Sequence, residues 1–447
     1  MMIRYIIRGN TLIVIVSILL GAFCISSSAT ASVKAPDTSK ADAVCLYNLN
    51  TNTILHSKNM HKKIFPAGAV KMMTGLLACE ILSERLSERV GITDEMLSGS
   101  SGANVKLKSG MTVTVEDLLY GVLCGGGNDA ATVLSRLCGE DFDGFVELMN
   151  KRALELGMLS THFTNPTGID DKNMYSTMSD VLTLAKAAQQ NSLYMDVSST
   201  VSYTYTPIGT SEEIKIHNRN ALISTYYSGS YKNPYASGMI SGNTDLGGYC
   251  VITFAQKKNT SYICAVMGAE SDDNEIYSYA IANSLLSYAF DNYSYTMLSE
   301  KGKLVCDSEV RLALPSANDP TTAVSCVIRD DVYALVPNTI DVEKDIKYRY
   351  YLHYDTLTAP ITAGTIVGGV DIIYDGETVA TAFLVTDEDV EVSGILLALE
   401  RAKQLFLGRA FWLSVINFVV LFGIYFYVSE LRFRHKSADK IKYKNFY

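Results

Sequence analysis

The hydrophobic positions of this 447-residue chain alternate between helical and extended spacing over its first two thirds. Segment 69–84 has apolar residues at helical spacing, which predicts a helix with one face packed inward: Val70, Met73, Leu77 and Ile81. Helical and extended segments continue to alternate across residues 40–290, a length sufficient for one large α/β core.

The pattern becomes rich in β-strand signals after a helix-like run over 275–292. Short β-branched or aromatic segments follow, such as VYALVP and KYRYYLHYD, and the dipeptide Asp375-Gly376 is typical of a hairpin turn. We therefore predict a small all-β domain over residues 300–392, which would act as a stalk for the first domain.

The C-terminal region has the pattern of a membrane anchor. Residues 410–428 are apolar, and at ~1.5 Å per residue a helix of that length matches a hydrocarbon core of ~30 Å. A juxtamembrane helix is predicted over 393–409, and the tail 429–447 is basic. By the positive-inside rule this tail is cytoplasmic and the large domain is extracytoplasmic. The alternative is a buried core helix.

The N-terminal residues 1–31 predict a secretory signal peptide. Arg4 and Arg8 precede an apolar run, and a small-residue cleavage site ends at Ala31. An uncleaved anchor is the alternative. Both ends together predict a single-pass protein of the cell membrane with its large domain outside.

Four segments carry candidate chemistry: FPAGAVKMMT at 65–74, CGGGNDAA at 124–131, a helix-to-turn segment at 146–170, and SGMISGNT at 237–244. In the first, Lys71 lies one helical turn after Gly68, which is the spacing of a Ser-x-x-Lys pair. In the third, a helix carrying Asn150 and Lys151 leads into an Asn-Pro-x-Gly sequence, whose residues are typical of a turn rather than of ligands.

Together these segments resemble the motifs of the serine D-alanyl-D-alanine carboxypeptidases, the low-molecular-weight penicillin-binding proteins, over residues 40–290. The resemblance implies a β-lactamase/transpeptidase-like α/β domain with helices around a central antiparallel sheet, followed by a small all-β domain and a C-terminal transmembrane helix. It also implies peptidoglycan stem peptides as ligands, and no cofactor.

Three positions depart from the family pattern. Gly68 stands where the family has its nucleophilic serine, Gly126 where it has a proton-relaying serine, and Ile240 where it has the lysine that attracts the substrate carboxylate. Glycine has no side-chain atom for attack, and deleting a serine protease nucleophile removes on the order of 10⁶ in turnover. The resemblance therefore predicts that acyl transfer is lost.

Other family positions are retained. Lys71 and Asn128 match the catalytic lysine and asparagine; without a serine to deprotonate, Lys71 is expected to be a cleft residue hydrogen-bonded to Asn128. Main-chain N–H groups at Gly68 and Asn243 match the family's oxyanion hole, and a substitution does not remove them. A peptide would dock along the strand that begins near Ser237. The expected substrate-binding residues are Ser241, Gly242, Asn243 and Thr244.

The cysteines offer two further hypotheses. Cys124 is a conceivable substitute nucleophile, but its apolar and glycine neighbours favour a packed core residue. A cross-strand disulfide between Cys250 and Cys264 is the second, although free buried thiols are preferred for most cysteines. No C-x-x-C pair occurs and the six histidines are scattered, so no metal site is predicted.

Composition restricts the choice of partner. The chain has a formal net charge of −9, and its basic tail makes the remainder more acidic still. Such a surface makes nucleic acid an implausible partner.

Three functions are compatible with these observations. The first is an inactive, membrane-anchored carboxypeptidase homologue that binds peptidoglycan peptides or a cell-wall enzyme as a regulator or scaffold. The second is an active serine-type carboxypeptidase that trims stem peptides with a rearranged site, for which Lys71 and Asn128 are the support. The third is a protein-interaction module that does not use the cleft.

Overall fold

A computed structural model describes three stretches of the chain: 35–139, 141–314 and 322–442. The predicted signal peptide lies outside the described residues. The described chain divides into two units. The first contains the residues up to Thr296 together with Tyr333–Asp345, and the second contains Met297–Val332 and the residues from Ile346 onward.

The first unit combines helices with mostly short strands. Its helices are α1 (Ala69–Leu82), α2 (Asp94–Leu97), α3 (Val115–Leu123), α4 (Asn128–Cys138), α5 (Phe142–Glu155), α6 (Met178–Gln190), α7 (Ser192–Ser198), α8 (Tyr277–Asn292) and α9 (Val342–Asp345). Its strands before α8 are β1 (Ala43–Asn48), β2 (Thr53–Lys58), β3 (Lys63–Ile64), β4 (Arg89–Gly91), β5 (Thr112–Thr114), β6 (Ser176–Thr177), β7 (Ser202–Tyr205), β8 (Ile214–His217), β9 (Ala236–Thr244), β10 (Gly248–Lys257) and β11 (Thr260–Ala269).

A five-stranded antiparallel sheet in the order β2-β1-β11-β10-β9 forms the centre of this unit. Every residue of β1 is buried because both faces of the sheet are covered. Ala43, Cys45 and Tyr47 join the core on one face, whereas Val44 and Leu46 join the core on the other. The predicted α/β class with a central antiparallel sheet is confirmed.

Helix α1 lies at the centre of one of these cores. Val70, Met73 and Leu77 are buried as predicted, but Ile81 is 41 % exposed and Met72 is fully buried. The prediction of a single inward face is therefore wrong. The helix contacts α3, α4 and α6 as well as the sheet, so almost its whole circumference is covered.

Helix α8 covers the opposite face of the sheet. Leu285 and Phe290 pack in one cluster with Val251 of β10 and Tyr262 of β11. The predicted helix over 275–292 is confirmed. This face of the sheet is separated from α1, so side chains on alternate positions of β9 and β10 enter different environments.

The second unit is rich in strands, as predicted. Along the chain, β12 (Tyr293–Ser299) spans the boundary between the two units, and β15 (Val332–Pro337) groups with the first unit. The elements of the second unit are β13 (Leu304–Arg311), β14 (Ala323–Ile328), β16 (Lys347–Leu352), β17 (Leu357–Thr358), β18 (Ile366–Tyr374), β19 (Glu377–Thr386), α10 (Gly394–Leu407) and α11 (Arg409–Lys442). Its sheet has the order β16-β18-β19-β14-β13-β17. The hairpin between β18 and β19 turns at Asp375 and Gly376, whose φ angles of +49° and +84° suit the predicted turn.

The domain boundary is less simple than the sequence suggests. Tyr333–Asp345, which the prediction places inside the domain 300–392, groups with the first unit. The reason is strand pairing, since β15 pairs with β12, which directly follows α8. The Asn338 N–H also donates to the Asn292 carbonyl at the end of α8, at 2.9 Å.

The C-terminal region is helical. Helix α10 begins at Ser393, whose side chain accepts the Leu396 N–H. Helix α11 then continues through the predicted span 410–428 and into the predicted tail, to Lys442. Within the described residues, its 26-residue stretch Arg409–Arg434 contains an 18-residue window with a mean hydropathy of 2.0, so the helix is long and apolar enough to cross a membrane.

Asn150 of α5 provides a test of how the helix-to-turn segment is held. Its Oδ1 accepts the Phe163 N–H at 2.9 Å, and its Nδ2 donates to the Phe163 carbonyl at 2.8 Å. We expect Asn150→Ala to lower the free energy of unfolding by about 2 kcal/mol, because two main-chain groups lose their partner. Lys151→Ala, at the exposed neighbouring position, is the control and should change it by less than about 0.5 kcal/mol in urea unfolding. Equal effects of the two variants would argue against this role.

Candidate active-site cleft

Gly68 lies where helix α1 meets the sheet. It is the N-cap residue of α1 and makes no side-chain cap hydrogen bond. A Cβ atom placed on Gly68 would lie only 2.9 Å from Cys250 Sγ and 3.0 Å from the Gly242 nitrogen. A Cβ on Gly242 would in turn lie 3.2 Å from the Gly68 Cα. The space that a serine side chain would need is therefore already taken.

The sulfur of Cys250 takes that space. Cys250 on β10 pairs with Gly242 on β9, and its side chain is on the α1 face of the sheet. Main-chain groups of Gly68, Ala69 and Gly242 interact with the sulfur and, with Lys71, favour the thiolate. Burial outweighs them and raises the pKa of the Cys250 thiol to about 11. The thiol is therefore protonated and packed at neutral pH.

Lys71 is turned toward the Asn-Pro-x-Gly turn. Its Nζ donates to the Thr167 carbonyl at 2.6 Å, and the expected hydrogen bond to Asn128 is not formed. Burial lowers the pKa of Lys71 to about 8, and the nearby charge of Arg219 adds to this effect. Cys250 and Asp129 oppose it.

The turn itself is structural, as predicted. Asn165 Oδ1 accepts the N–H groups of Thr167 and Gly168, at 3.1 and 2.8 Å. Gly168 has a φ of +77°, and a Cβ there would lie 2.5 Å from the Ala67 carbonyl oxygen. The turn therefore packs against the start of α1 and presents its Thr167 carbonyl to Lys71.

Asn128 and Asp129 begin helix α4. Asn128 Nδ2 donates to the Ser101 carbonyl at 2.6 Å, which explains why it does not reach Lys71. Its Oδ1 is buried and has no hydrogen-bond partner among the described residues. Asp129 accepts the Val105 N–H at 3.0 Å and so holds the loop that forms this side of the cleft.

Arg219 is a cleft residue that the sequence analysis missed. A Cβ on Gly126, which has a φ of +61°, would lie 3.2 Å from the Arg219 Cδ, so the arginine stem lies against the glycine. Tyr279 donates its hydroxyl hydrogen bond to the Arg219 carbonyl at 2.9 Å and helps to fix the main chain. Among the described residues, neither Arg219 nor Lys71 forms an ion pair with a carboxylate.

The predicted substrate-binding residues lie on strand β9, and their side chains alternate between the two faces of the sheet. Ile240 is 2 % exposed and belongs to the core on the α1 face, so the position of the family's lysine has become part of the packing. Ser241 pairs with Val251, whose side chain is on the α8 face, and its hydroxyl is buried without a partner among the described residues. Asn243 is exposed, and Thr244 Oγ1 accepts the Gly247 N–H at 2.9 Å.

The positions of the cysteines in the structure test both cysteine hypotheses. Cys124 is buried, its Sγ donates to the Val197 carbonyl at 3.1 Å, and burial raises its pKa to about 12, so it is a core residue as preferred. Cys250 and Cys264 are in cores on opposite faces of the sheet, which contradicts a disulfide between them. The described residues contain no cluster of three or more side chains suited to a metal.

The cleft thus has a lysine one turn into a buried helix, an Asn-Asp pair at the start of a second helix and the edge strand of an antiparallel sheet. These features are those of a transpeptidase-like α/β fold in which glycine occupies the position of the nucleophile. The sequence model of the D-alanyl-D-alanine carboxypeptidase family matches residues 29–271, and that of the penicillin-binding protein 5 C-terminal domain matches residues 293–392. The chain belongs to the D-alanyl-D-alanine carboxypeptidase family.

Individual relatives match over most of their length. The chain is 28 % identical over 367 residues to D-alanyl-D-alanine carboxypeptidase DacF of Bacillus subtilis, which covers 81 % of this chain and 89 % of that protein. It is 26 % identical over 418 residues to DacC of Escherichia coli, covering 89 % and 93 %. Among solved structures, penicillin-binding protein 5 from Haemophilus influenzae has a TM-score of 0.60 at 27 % identity, covering 80 % of this chain and all of that one.

The contact between Gly68 and Cys250 predicts an energetic coupling. We expect Gly68→Ser to lower stability by about 1–3 kcal/mol, because the new side chain overlaps the sulfur. Cys250→Ala should cost stability alone by leaving a cavity, but should cost less, or nothing, in the presence of Gly68→Ser. Urea unfolding of the four proteins in this double-mutant cycle measures the coupling. Strictly additive effects would mean that the two positions do not compete for space.

Proposed function

We propose that this protein is a membrane-anchored, outward-facing homologue of the D-alanyl-D-alanine carboxypeptidases that binds peptidoglycan stem peptides without cleaving them, and so regulates or scaffolds cell-wall enzymes. The observation that carries the proposal is the cleft itself. At Gly68 the nucleophile is absent and its space is filled by Cys250, whereas the cleft cations Lys71 and Arg219 have no carboxylate ion-pair partner among the described residues.

The loss of hydrolysis follows from the atoms available. Acyl transfer needs a nucleophile, a base and oxyanion donors in one geometry. Gly68 has no side-chain oxygen, and its main-chain group interacts with the Cys250 sulfur. The thiol itself is 1 % exposed with a pKa of about 11, so it is a poor substitute.

The retained charges support anion binding. Lys71 and Arg219 are close enough for the arginine charge to lower the pKa of the lysine. A ligand carboxylate between them would relieve this repulsion and gain charge-assisted hydrogen bonds.

The edge strand supports binding of an extended peptide. β9 pairs with β10 on one side only, and a peptide adds to such an edge through main-chain hydrogen bonds. The carboxypeptidase relatives act, as their name states, on D-alanyl-D-alanine termini. We therefore extend that ligand class to this chain, with Arg219 replacing the cation that Ile240 no longer supplies.

The C-terminal helix supports the anchored, outward-facing arrangement. Large apolar side chains of α11, such as Leu413, Phe418 and Leu421, are more than 60 % exposed, and a bilayer would cover them. Arg432 and Arg434 follow the apolar stretch, and by the positive-inside rule they support a cytoplasmic C-terminus.

The absence of acyl transfer is tested with penicillin. The full-length protein in detergent is incubated with excess penicillin and its intact mass is measured, next to an active family member. We expect no acyl adduct on this protein and a complete one on the active enzyme, because Gly68 has no attacking atom. An adduct of one acyl group would disprove the inactive assignment, and peptide mapping would identify the nucleophile.

Peptide binding is tested by its dependence on the two cations and on pH. An N-acetylated peptide ending in D-Ala-D-Ala should bind, and its affinity should fall by about tenfold as the pH rises through 8, because the ammonium form of Lys71, with its lowered pKa, is lost. Isothermal titration calorimetry at several pH values measures this change. Lys71→Met should weaken binding and remove the pH step. Arg219→Met should weaken binding and move the step to higher pH, because the arginine charge that lowers the pKa of Lys71 is lost.

The matched control is Lys151→Met, which removes the same charge from an exposed position on α5. It should bind like the unmodified protein at every pH. If the peptide does not bind at any pH, the cleft function is wrong, and a protein-interaction role outside the cleft becomes the better explanation.

A further inference from the structure

Two cysteines of the second unit face each other across neighbouring strands. Cys306 on β13 and Cys326 on β14 are register partners in an antiparallel pair. Opposite residues in such pairs have Cα atoms about 4.5 or 5.5 Å apart, and disulfides bridge Cα distances of about 4.4–6.8 Å. The backbone therefore already has the separation that a cross-link requires.

The side chains also meet. Cys306 and Cys326 are both free cysteines, and their thiols are close enough for each to affect the pKa of the other. Cys326 is fully buried, whereas Cys306 is partly exposed at the surface of the sheet. One sulfur is thus accessible to an oxidant while the other is held beside it.

This placement differs from the pair that the sequence suggested. Cys250 and Cys264 are on adjacent strands but in cores on opposite faces of their sheet. Cys306 and Cys326 share one face, because directly opposite residues of an antiparallel pair point to the same side. Spacing along the sequence does not distinguish the two cases, whereas strand register does.

We propose that Cys306 and Cys326 form a disulfide bond in the native protein. The proposal rests on the outward-facing arrangement proposed above, because disulfides persist in oxidising compartments and not in the cytosol. The accessible Cys306 thiolate attacks the disulfide of a thiol–disulfide oxidoreductase and forms a mixed disulfide. The Cys326 thiolate then attacks the Cys306 sulfur, so the protein's S–S bond forms and the oxidoreductase leaves as a dithiol.

The cross-link would stabilise the centre of the second sheet. β13 and β14 are interior strands in the order β16-β18-β19-β14-β13-β17, and their register shifts between Leu304 and Cys306. A bond at Cys306 would hold the register directly beside this irregularity. It would also close a loop of about 20 residues, which restricts the unfolded chain.

The first experiment tests whether the disulfide is present in the protein as it occurs in cells. Cells producing the full-length protein are treated with an alkylating agent before lysis, and the purified protein is digested without reductant and analysed by mass spectrometry. We expect a peptide pair joined through Cys306 and Cys326, which separates on reduction, and no alkylation at either residue. Cys138→Ser, at another partly exposed thiol, is the matched control and should leave the joined pair unchanged.

The second experiment tests whether the folded protein can form the bond, independently of the compartment in which the protein is found. Purified, fully reduced protein is oxidised with glutathione disulfide, and the same peptide pair is measured. Failure to form it in the folded protein would overturn the proposal on geometry alone. Ready formation in vitro with free thiols in cells would overturn it for the native protein and would also count against the outward-facing arrangement, while leaving peptide binding by the cleft untouched.

Stability gives an independent readout. Cys306→Ser should lower the melting temperature of the second unit by about 5 °C without reductant, and adding reductant to the unmodified protein should produce the same decrease. Without reductant, Cys138→Ser should have the melting temperature of the unmodified protein, and with reductant it should show the same decrease, because its cross-link is intact. A melting temperature of the unmodified protein that does not respond to reductant would show that no stabilising cross-link is present.

Discussion

The close approach of helix α1 to strand β9 is the constraint on which the cleft depends. Gly68 and Gly242 bring two main chains into contact, and Cys250 fills the remaining space with its sulfur. In an active serine enzyme the same place must hold a nucleophile with room to attack. Here the place is packed like a core, because the sulfur and the two main chains leave no room for a further side chain.

The charges of two basic side chains are the second notable feature of the cleft. The chain as a whole is acidic, yet Lys71 and Arg219 meet in the cleft without a carboxylate partner among the described residues. Such an arrangement costs folding free energy unless a ligand or solvent compensates it. An anion would provide this compensation, which is the physical basis of the proposed binding of a peptide carboxylate.

Much of the fold could be predicted from the sequence, because it depends on local periodicity. The helix at 277–292, the strand-rich region after it and the turn at Asp375-Gly376 all follow from patterns within short windows. The nearly complete enclosure of α1 and the grouping of Tyr333–Asp345 with the first unit could not be predicted in this way. Both result from partners that lie far away along the chain.

The sequence by itself determined that no serine oxygen is available at position 68, because glycine has no side chain in any fold. It also determined that Ile240 cannot attract a carboxylate. Only the tertiary structure decided that Cys250 occupies the vacant space, that Arg219 lies against Gly126, and that Lys71 binds Thr167 rather than Asn128. Side chains distant in sequence meet through strand register and helix packing, and a linear pattern does not encode those distances.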